Sequence, residues 1–186
     1  MKKILTTFVF LILVGINFSF STRTLDTYQK LDKVTIINIE KEKPKGSDKY
    51  KVLLDKLAKS ESEHDWKIIN TVGCFGKYQF KESTLKDLGY TITLKQFKEN
   101  PECFNEEMQE EAALKLIETN RKILRSIIEK HQGSTINGIY ITETGILAAA
   151  HLAGPTGVQN YFNESKNATD KYGTSVETYL NKFSII

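Results

Sequence analysis

Two cysteines and three histidines are all that this 186-residue chain offers for thiol or imidazole chemistry. Neither type is spaced for a metal: His64, His131 and His151 stand far apart, and Cys74 and Cys103 form no Cys-x-x-Cys pair. No metal and no cofactor are therefore expected. Neither cysteine carries a local signature of a catalytic thiol. The even count permits a Cys74–Cys103 disulfide in an oxidising compartment. Two separate thiols are the other reading, and distance along the chain does not choose between them. The formal charge is only +3, too small a bias to argue for nucleic acid. Beyond the N-terminal segment no apolar run reaches the length of a bilayer span. Internal repeats and a heptad seam are missing too, so nothing demands an oligomer and a monomer is the expectation.

What is present is ordinary globular sequence, 40% hydrophobic and 26% charged, enough for one domain with a sizeable core. Met1-Lys2-Lys3 followed by an apolar run from Ile4 to Phe18 reads as a secretory signal peptide over residues 1–21. The Ala-x-Ala cleavage pattern is missing, which leaves an uncleaved anchor as the alternative. A secreted or periplasmic location follows from the signal-peptide reading. Residues 22–47 are polar and charged and read as a linker or N-terminal arm. The compact domain is expected over 48–186.

Within it, Ser47-Asp48 suit the start of a helix that runs to about Ser62. A short helix over Thr84–Leu88, capped by Ser83, should stop at Gly89. One long helix is expected from about Asn105 to Lys130, acidic in its first half and basic in its second, as the helix dipole favours. Thr142 should cap an apolar, small-residue helix that ends at Gly154-Pro155. A short helix over Val158–Phe162 and a last one capped by Thr174, ending near Phe183, complete a mainly α chain. At most a small strand region is expected, near Gly73–Phe80.

The chain is organised around the stretch from Lys59 to Phe80. Leu54, Leu57, Ala58 and Glu61 follow the i, i+3, i+4, i+7 spacing of one helix face. Position 61 is thus where the next core residue belongs, and it holds a carboxylate. A carboxyl moved toward apolar surroundings is disfavoured in its charged form and suits a general acid. The other reading is a helix that frays early and leaves Glu61 in water. The glycine-punctuated loop Gly73-Cys-Phe-Gly76-Lys-Tyr-Gln79-Phe80 follows at once.

Glu61-Ser62, then Gly73-x-x-Gly76-x-x-Gln79, then Ala149-Ala150-His151-Leu152-Ala153-Gly154 resemble, in order and spacing, the three-part signature of lysozyme-like lytic transglycosylases and muramidases. The resemblance spans roughly residues 48–183. It departs from the family where Glu63-His64-Asp65-Trp66 follows Glu-Ser in place of small residues, where Lys77-Tyr78 precedes the glutamine, and where His151-Leu152 replaces Tyr-Asn. It implies a lysozyme-like helical fold and, as partner and substrate, the glycan strand of peptidoglycan. Glu61 would be the one acid and base. It would protonate the bond between N-acetylmuramic acid and N-acetylglucosamine, then take the C6 hydroxyl proton as a 1,6-anhydro ring closes. Gln79 would line the saccharide cleft and Ser62 would orient Glu61 by a hydrogen bond. Tyr78 and Phe80 would offer faces to sugar rings, or else be core aromatics. His151 would contact an N-acetyl group, or else be a packed histidine. Tyr179 would correspond to a tyrosine that contacts the acid. A hydrolytic muramidase, with Glu63 or Asp65 positioning a water, and a catalytically silent wall-binding protein are the competing readings.

Overall fold

The computed structural model describes residues 47–184. The signal-peptide and arm expectations, residues 1–21 and 22–47, lie outside the described residues except for Ser47, which begins the first helix. The described chain runs α1 (Ser47–Ser62), α2 (Glu82–Asp87), α3 (Leu94–Glu99), a 3₁₀ turn (Pro101–Phe104), α4 (Glu106–Ile123), α5 (Arg125–His131), β1 (Thr135–Ile136), β2 (Ile139–Tyr140), α6 (Glu143–Glu164) and α7 (Val176–Lys182). It is mainly helical, as its sequence leads one to expect, and carries one small antiparallel hairpin.

α6 is the centre of the fold. Six successive residues, Gly145 to Ala150, are buried, so the helix is covered all round rather than on one stripe. Its small residues let neighbours approach closely. A Cβ on Gly145 would lie 2.9 Å from the carbonyl oxygen of Leu180, so α7 docks on α6 backbone to backbone. α1 adds Tyr50, Leu53, Leu54, Leu57 and Ala58 to the core, and α4 adds Ala112, Ala113, Leu114 and Ile117. Phe75, Phe80, Phe97 and Phe104, each 2% exposed or less, fill the space beneath the glycine loop, with Phe75 and Phe97 centroids 4.8 Å apart.

Several boundaries differ from those expected. The helix starting at Asn105 is broken at Leu124 (φ −93°, ψ 11°), which separates α4 from α5. Leu124 is fully buried, and its N–H still bonds Asn120 while its carbonyl accepts from Ile128, so the chain changes direction without losing its ladder. Gly154 (φ 69°, ψ 167°) does leave the helical region, yet Pro155 resumes the helix at once and carries it to Glu164. Lys81 rather than Ser83 precedes α2, and Ser175 rather than Thr174 caps α7, its Oγ accepting from the Thr178 N–H. The Thr174 N–H is committed to Asp170 Oδ1.

Two elements were not expected. α3 begins at a capping box, with the Thr93 and Gln96 side chains satisfying each other's backbone N–H groups. The hairpin pairs Thr135 with Tyr140 and Ile136 with Ile139. Its turn is Asn137-Gly138, both at positive φ, the residue pair that type I′ hairpin turns favour. In the region where strand was expected there are single bridges only, Ile69 to Phe75 and Phe75 to Phe80.

The Cys74–Cys103 disulfide is not formed. Both are free thiols, Cys74 buried in the glycine loop and Cys103 half-buried in the 3₁₀ turn. Burial pushes the Cys103 thiol above its ordinary pKa, which makes it a poorer nucleophile for exchange. A reducing agent should therefore leave the thermal midpoint unchanged, as calorimetry with and without reductant will check. No helix of the described residues is long and apolar enough to cross a membrane.

Candidate active site

An open cleft of about 1330 Å³ runs between the end of α1, the glycine loop, α4, the bend of α6 and α7. Glu61 sits in its wall, one residue before the end of α1. The chain leaves that helix through Glu63 and His64, both at positive φ, and so turns back sharply enough to bring the glycine loop alongside. Glu61 is sheltered: its side chain is 17% exposed. The Tyr179 hydroxyl donates to Glu61 Oε1 at 2.5 Å. His151 Nε2 lies 4.0 Å from the same oxygen and 3.0 Å from the Tyr78 carbonyl oxygen. A carbonyl only accepts, so this nitrogen carries a hydrogen. Among the described residues Glu61 Oε2 has no hydrogen-bond partner.

Tyr179 is a dependable donor. Burial first, and then the charge of Glu61, push its hydroxyl well above the usual tyrosine range, so it stays protonated wherever the acid works. Tyr179→Phe should lower turnover about 10- to 100-fold, because hydrogen bonds to charged groups contribute about 1.5–3 kcal/mol. The test is the rate of cleavage of peptidoglycan, the substrate that the resemblance implies, by folded variant and wild type. An unchanged rate would mean that the phenol only packs.

The glycine loop meets this site through its backbone. Ser62 is buried, and its hydroxyl donates to the Lys77 carbonyl at 2.7 Å and to the Ala58 carbonyl at 3.2 Å. The expected bond from Ser62 to the Glu61 carboxylate is therefore absent: the hydroxyl is consumed in tying the end of α1 to the loop. Tyr78 is likewise not in the cleft. It is 1% exposed, and its hydroxyl donates to Glu110 Oε2 at 2.6 Å, so its ring is core and offers no face to a sugar. Phe80 is 2% exposed and forms part of the cleft wall, with its ring set edge-on to that of His151. Gln79 lines the cleft at positive φ (50°), its Nε2 donating to the Gly76 carbonyl. A non-glycine residue in that region costs about 1 kcal/mol or more and is found most often at functional sites.

Three residues were missed. Gln109, on α4, is fully buried. Its Oε1 accepts from the Lys77 N–H at 2.6 Å, and its Nε2 donates to the carbonyls of Trp66 (2.9 Å) and Phe104 (2.7 Å). One amide thus ties Lys77 of the glycine loop, the Trp66 stretch ahead of it and the end of the 3₁₀ turn to α4. Asn120, also on α4, lines the cleft. Both hold polar groups at positions where helical spacing calls for core, the same signal that marks Glu61. Asp170 is a further carboxylate in the cleft wall, its Oδ1 accepting from the N–H groups of Tyr172 and Thr174. The loop from Asp170 to Thr174 repeats the bonding of the loop from Asn70 to Cys74, where Asn70 Oδ1 takes the N–H groups of Val72 and Cys74. The two loops touch at the cleft mouth, where the Thr71 and Tyr172 hydroxyls are 2.7 Å apart. Glu63 and Asp65 are turned to solvent. Glu63 is paired with Lys59, whose hydrogen bond and charge lower its pKa, and Asp65 Oδ1 accepts from the Lys67 N–H.

A mainly helical domain that shelters a carboxylate in the wall of a long cleft has a lysozyme-like arrangement. Residues 49–121 match the family model of the Transglycosylase-like domain, which fits that fold and agrees with a lysozyme-like lytic transglycosylase family. The matched segment includes Glu61, the glycine loop, Gln109 and Asn120, and ends before His151 and Tyr179. At family level the match supports a peptidoglycan enzyme that cleaves glycosidic bonds. No curated protein and no solved structure matches the chain.

Proposed function

We propose that this protein is a lytic transglycosylase that acts outside the cytoplasm on the glycan strands of peptidoglycan, with Glu61 as its general acid and base. The observation that carries the reading is the seat of Glu61, in the cleft wall with one oxygen held by Tyr179 and the other without a partner among the described residues. An acid works only within hydrogen-bond reach of the proton it moves. Protonated Glu61 gives its proton to the glycosidic oxygen as the bond to the muramyl C1 breaks. The substrate's own acetamido oxygen supports the positive charge at C1, as in substrate-assisted glycosidases. Glu61, now a carboxylate, takes the proton from the C6 hydroxyl as that oxygen closes on C1. His151, whose N–H is given to the Tyr78 carbonyl, stands 4.0 Å from the same carboxylate, and Phe80 and Gln79 form the adjoining wall.

Hydrolysis is the second reading, and Asp170 is what favours it. A carboxylate in the same cleft, with only one oxygen engaged in its own turn, is a candidate to hold an attacking water. Mass spectrometry of muropeptides released by the full chain separates the two. Fragments lighter by one water, with anhydro ends, support the transglycosylase. Ordinary reducing ends support the hydrolase. Binding to the polymer without any fragments supports a silent wall-binding protein and overturns both.

A further inference from the structure

Residues 69–75 and 169–175 are two hairpin tips of one build. Each closes on a single antiparallel bridge, Ile69 with Phe75 and Thr169 with Ser175. In each, the side chain that opens the turn, Asn70 or Asp170, takes two N–H groups through its Oδ1. In each, a glycine at positive φ, Gly73 at 84° or Gly173 at 82°, donates its N–H back to the carbonyl of that same residue, and glycine takes such a φ without strain. The tips are thus held by their own bonds. Both are also anchored beside the site. Phe75 is fully buried, and Ser175 caps the helix that carries Tyr179. Val72 and Tyr172, one on each tip, line the cleft that holds Glu61.

The two tips meet. The hydroxyls of Thr71 and Tyr172 are 2.7 Å apart, a hydrogen-bond distance that leaves no passage for a sugar ring between them. Both side chains are exposed, and neither hydroxyl takes part in the bonding of its own turn. Core packing and turn formation therefore do not account for the contact. Its effect is on access. A groove open along its length lets a polymer lie down at any residue. A groove bridged at its mouth admits a strand by an end, whether the strand threads beneath the bridge or stops against it. We infer that the Thr71–Tyr172 bridge makes this an enzyme of strand ends, one that releases short units from a free terminus and does not cut within long strands. This rests on the proposed function and narrows its substrate to glycan strands with an accessible end. Thr71 and Tyr172 are in this reading specificity residues and not catalytic ones, since they govern entry and touch no reacting atom.

The test incubates the full chain with long peptidoglycan strands free of cross-links and compares product lengths at equal numbers of cut bonds. Length is scored whatever the chemistry of the new end, so the choice between anhydro and reducing ends does not enter. Wild type is expected to release single disaccharide units from the first time point while the remaining strands stay long. Tyr172→Ala should raise the share of early products longer than one disaccharide about tenfold, the factor that corresponds to about 1.4 kcal/mol of lost closure. Tyr172 is 61% exposed, so this variant should keep the wild-type thermal midpoint. Thr71→Val keeps the shape of the other partner and removes only the bond, and should shift the products the same way by a smaller factor. Long early fragments from wild type, or the same product lengths from all three chains, would overturn the inference and leave the proposed activity standing. Strands left uncut by wild type would overturn the proposed function and the inference with it.

Discussion

Glu61→Gln should reduce cleavage of peptidoglycan by about 10³- to 10⁴-fold, the upper part of the range for general acid–base catalysis, because in the proposed mechanism one residue serves both proton transfers. The substitution keeps the shape of the side chain. Its amide oxygen can still accept from the Tyr179 hydroxyl, which now lies 2.5 Å from Glu61 Oε1, so the thermal midpoint should stay within a few degrees of wild type. Activity and stability are thus expected to separate cleanly. An unchanged rate would move the assignment elsewhere, and the structure says where. Glu63 lies in solvent against Lys59, so Asp170, another carboxylate in the cleft wall with an oxygen to spare, would be substituted next. A loss of activity accompanied by a large drop in the midpoint would instead mean that the Glu61–Tyr179 contact holds α1 to α7.

The position of Glu61 was legible because a charged residue had broken an apolar helical stripe, and such a break has few bland causes. The same reasoning reaches Gln109 and Asn120. Ala113, Ile117, Asn120 and Leu124 follow helical spacing on the buried face of α4, and the amide there is as conspicuous as the carboxylate on α1. What was illegible is which partner each group takes. Ser62 next to Glu61 invites a hydroxyl–carboxylate bond, yet the helix end also exposes Ser62 to the Lys77 carbonyl, 15 residues on, and that closer backbone acceptor takes the hydroxyl. Tyr78 and Phe80 flank Gln79 in the glycine loop, so both were candidates for the cleft. Tyr78 is drawn inward by Glu110, a residue on a different helix that no local pattern connects to it. The free cysteines have the same cause: whether two thiols meet is a property of tertiary packing and not of count. The Asn137-Gly138 hairpin, by contrast, was written in the local sequence. Its strands are only two residues each, too short for any periodicity to announce them.

Gln109→Leu should be the most destabilising single change at this site, costing about 3 kcal/mol or more, since each buried group left unsatisfied costs about 1–3 kcal/mol. The substitution is close in volume, so the loss is one of hydrogen bonds and not of packing. The Lys77 N–H and the Phe104 carbonyl lose the partners they have in Gln109, and so does the Trp66 carbonyl. A drop of about 10 °C in the thermal midpoint follows for a domain of this size. Activity measured well below that midpoint should fall as well, because the loop Gln109 holds also supplies the Lys77 carbonyl to Ser62 and the Tyr78 carbonyl to His151. Gly76 offers an independent check. A Cβ there would lie 2.5 Å from Gln109 Oε1, and the residue sits at φ +80°. Gly76→Ala therefore meets two penalties, a clash with the Gln109 amide and a strained backbone. In a Gln109→Ala background the clash disappears and only the strain remains, so the cost of Gly76→Ala should shrink there. The coupling is read from a double-mutant cycle. Strictly additive costs would mean that the loop relaxes around the added methyl, and that Gln109 does not fix the loop against α4.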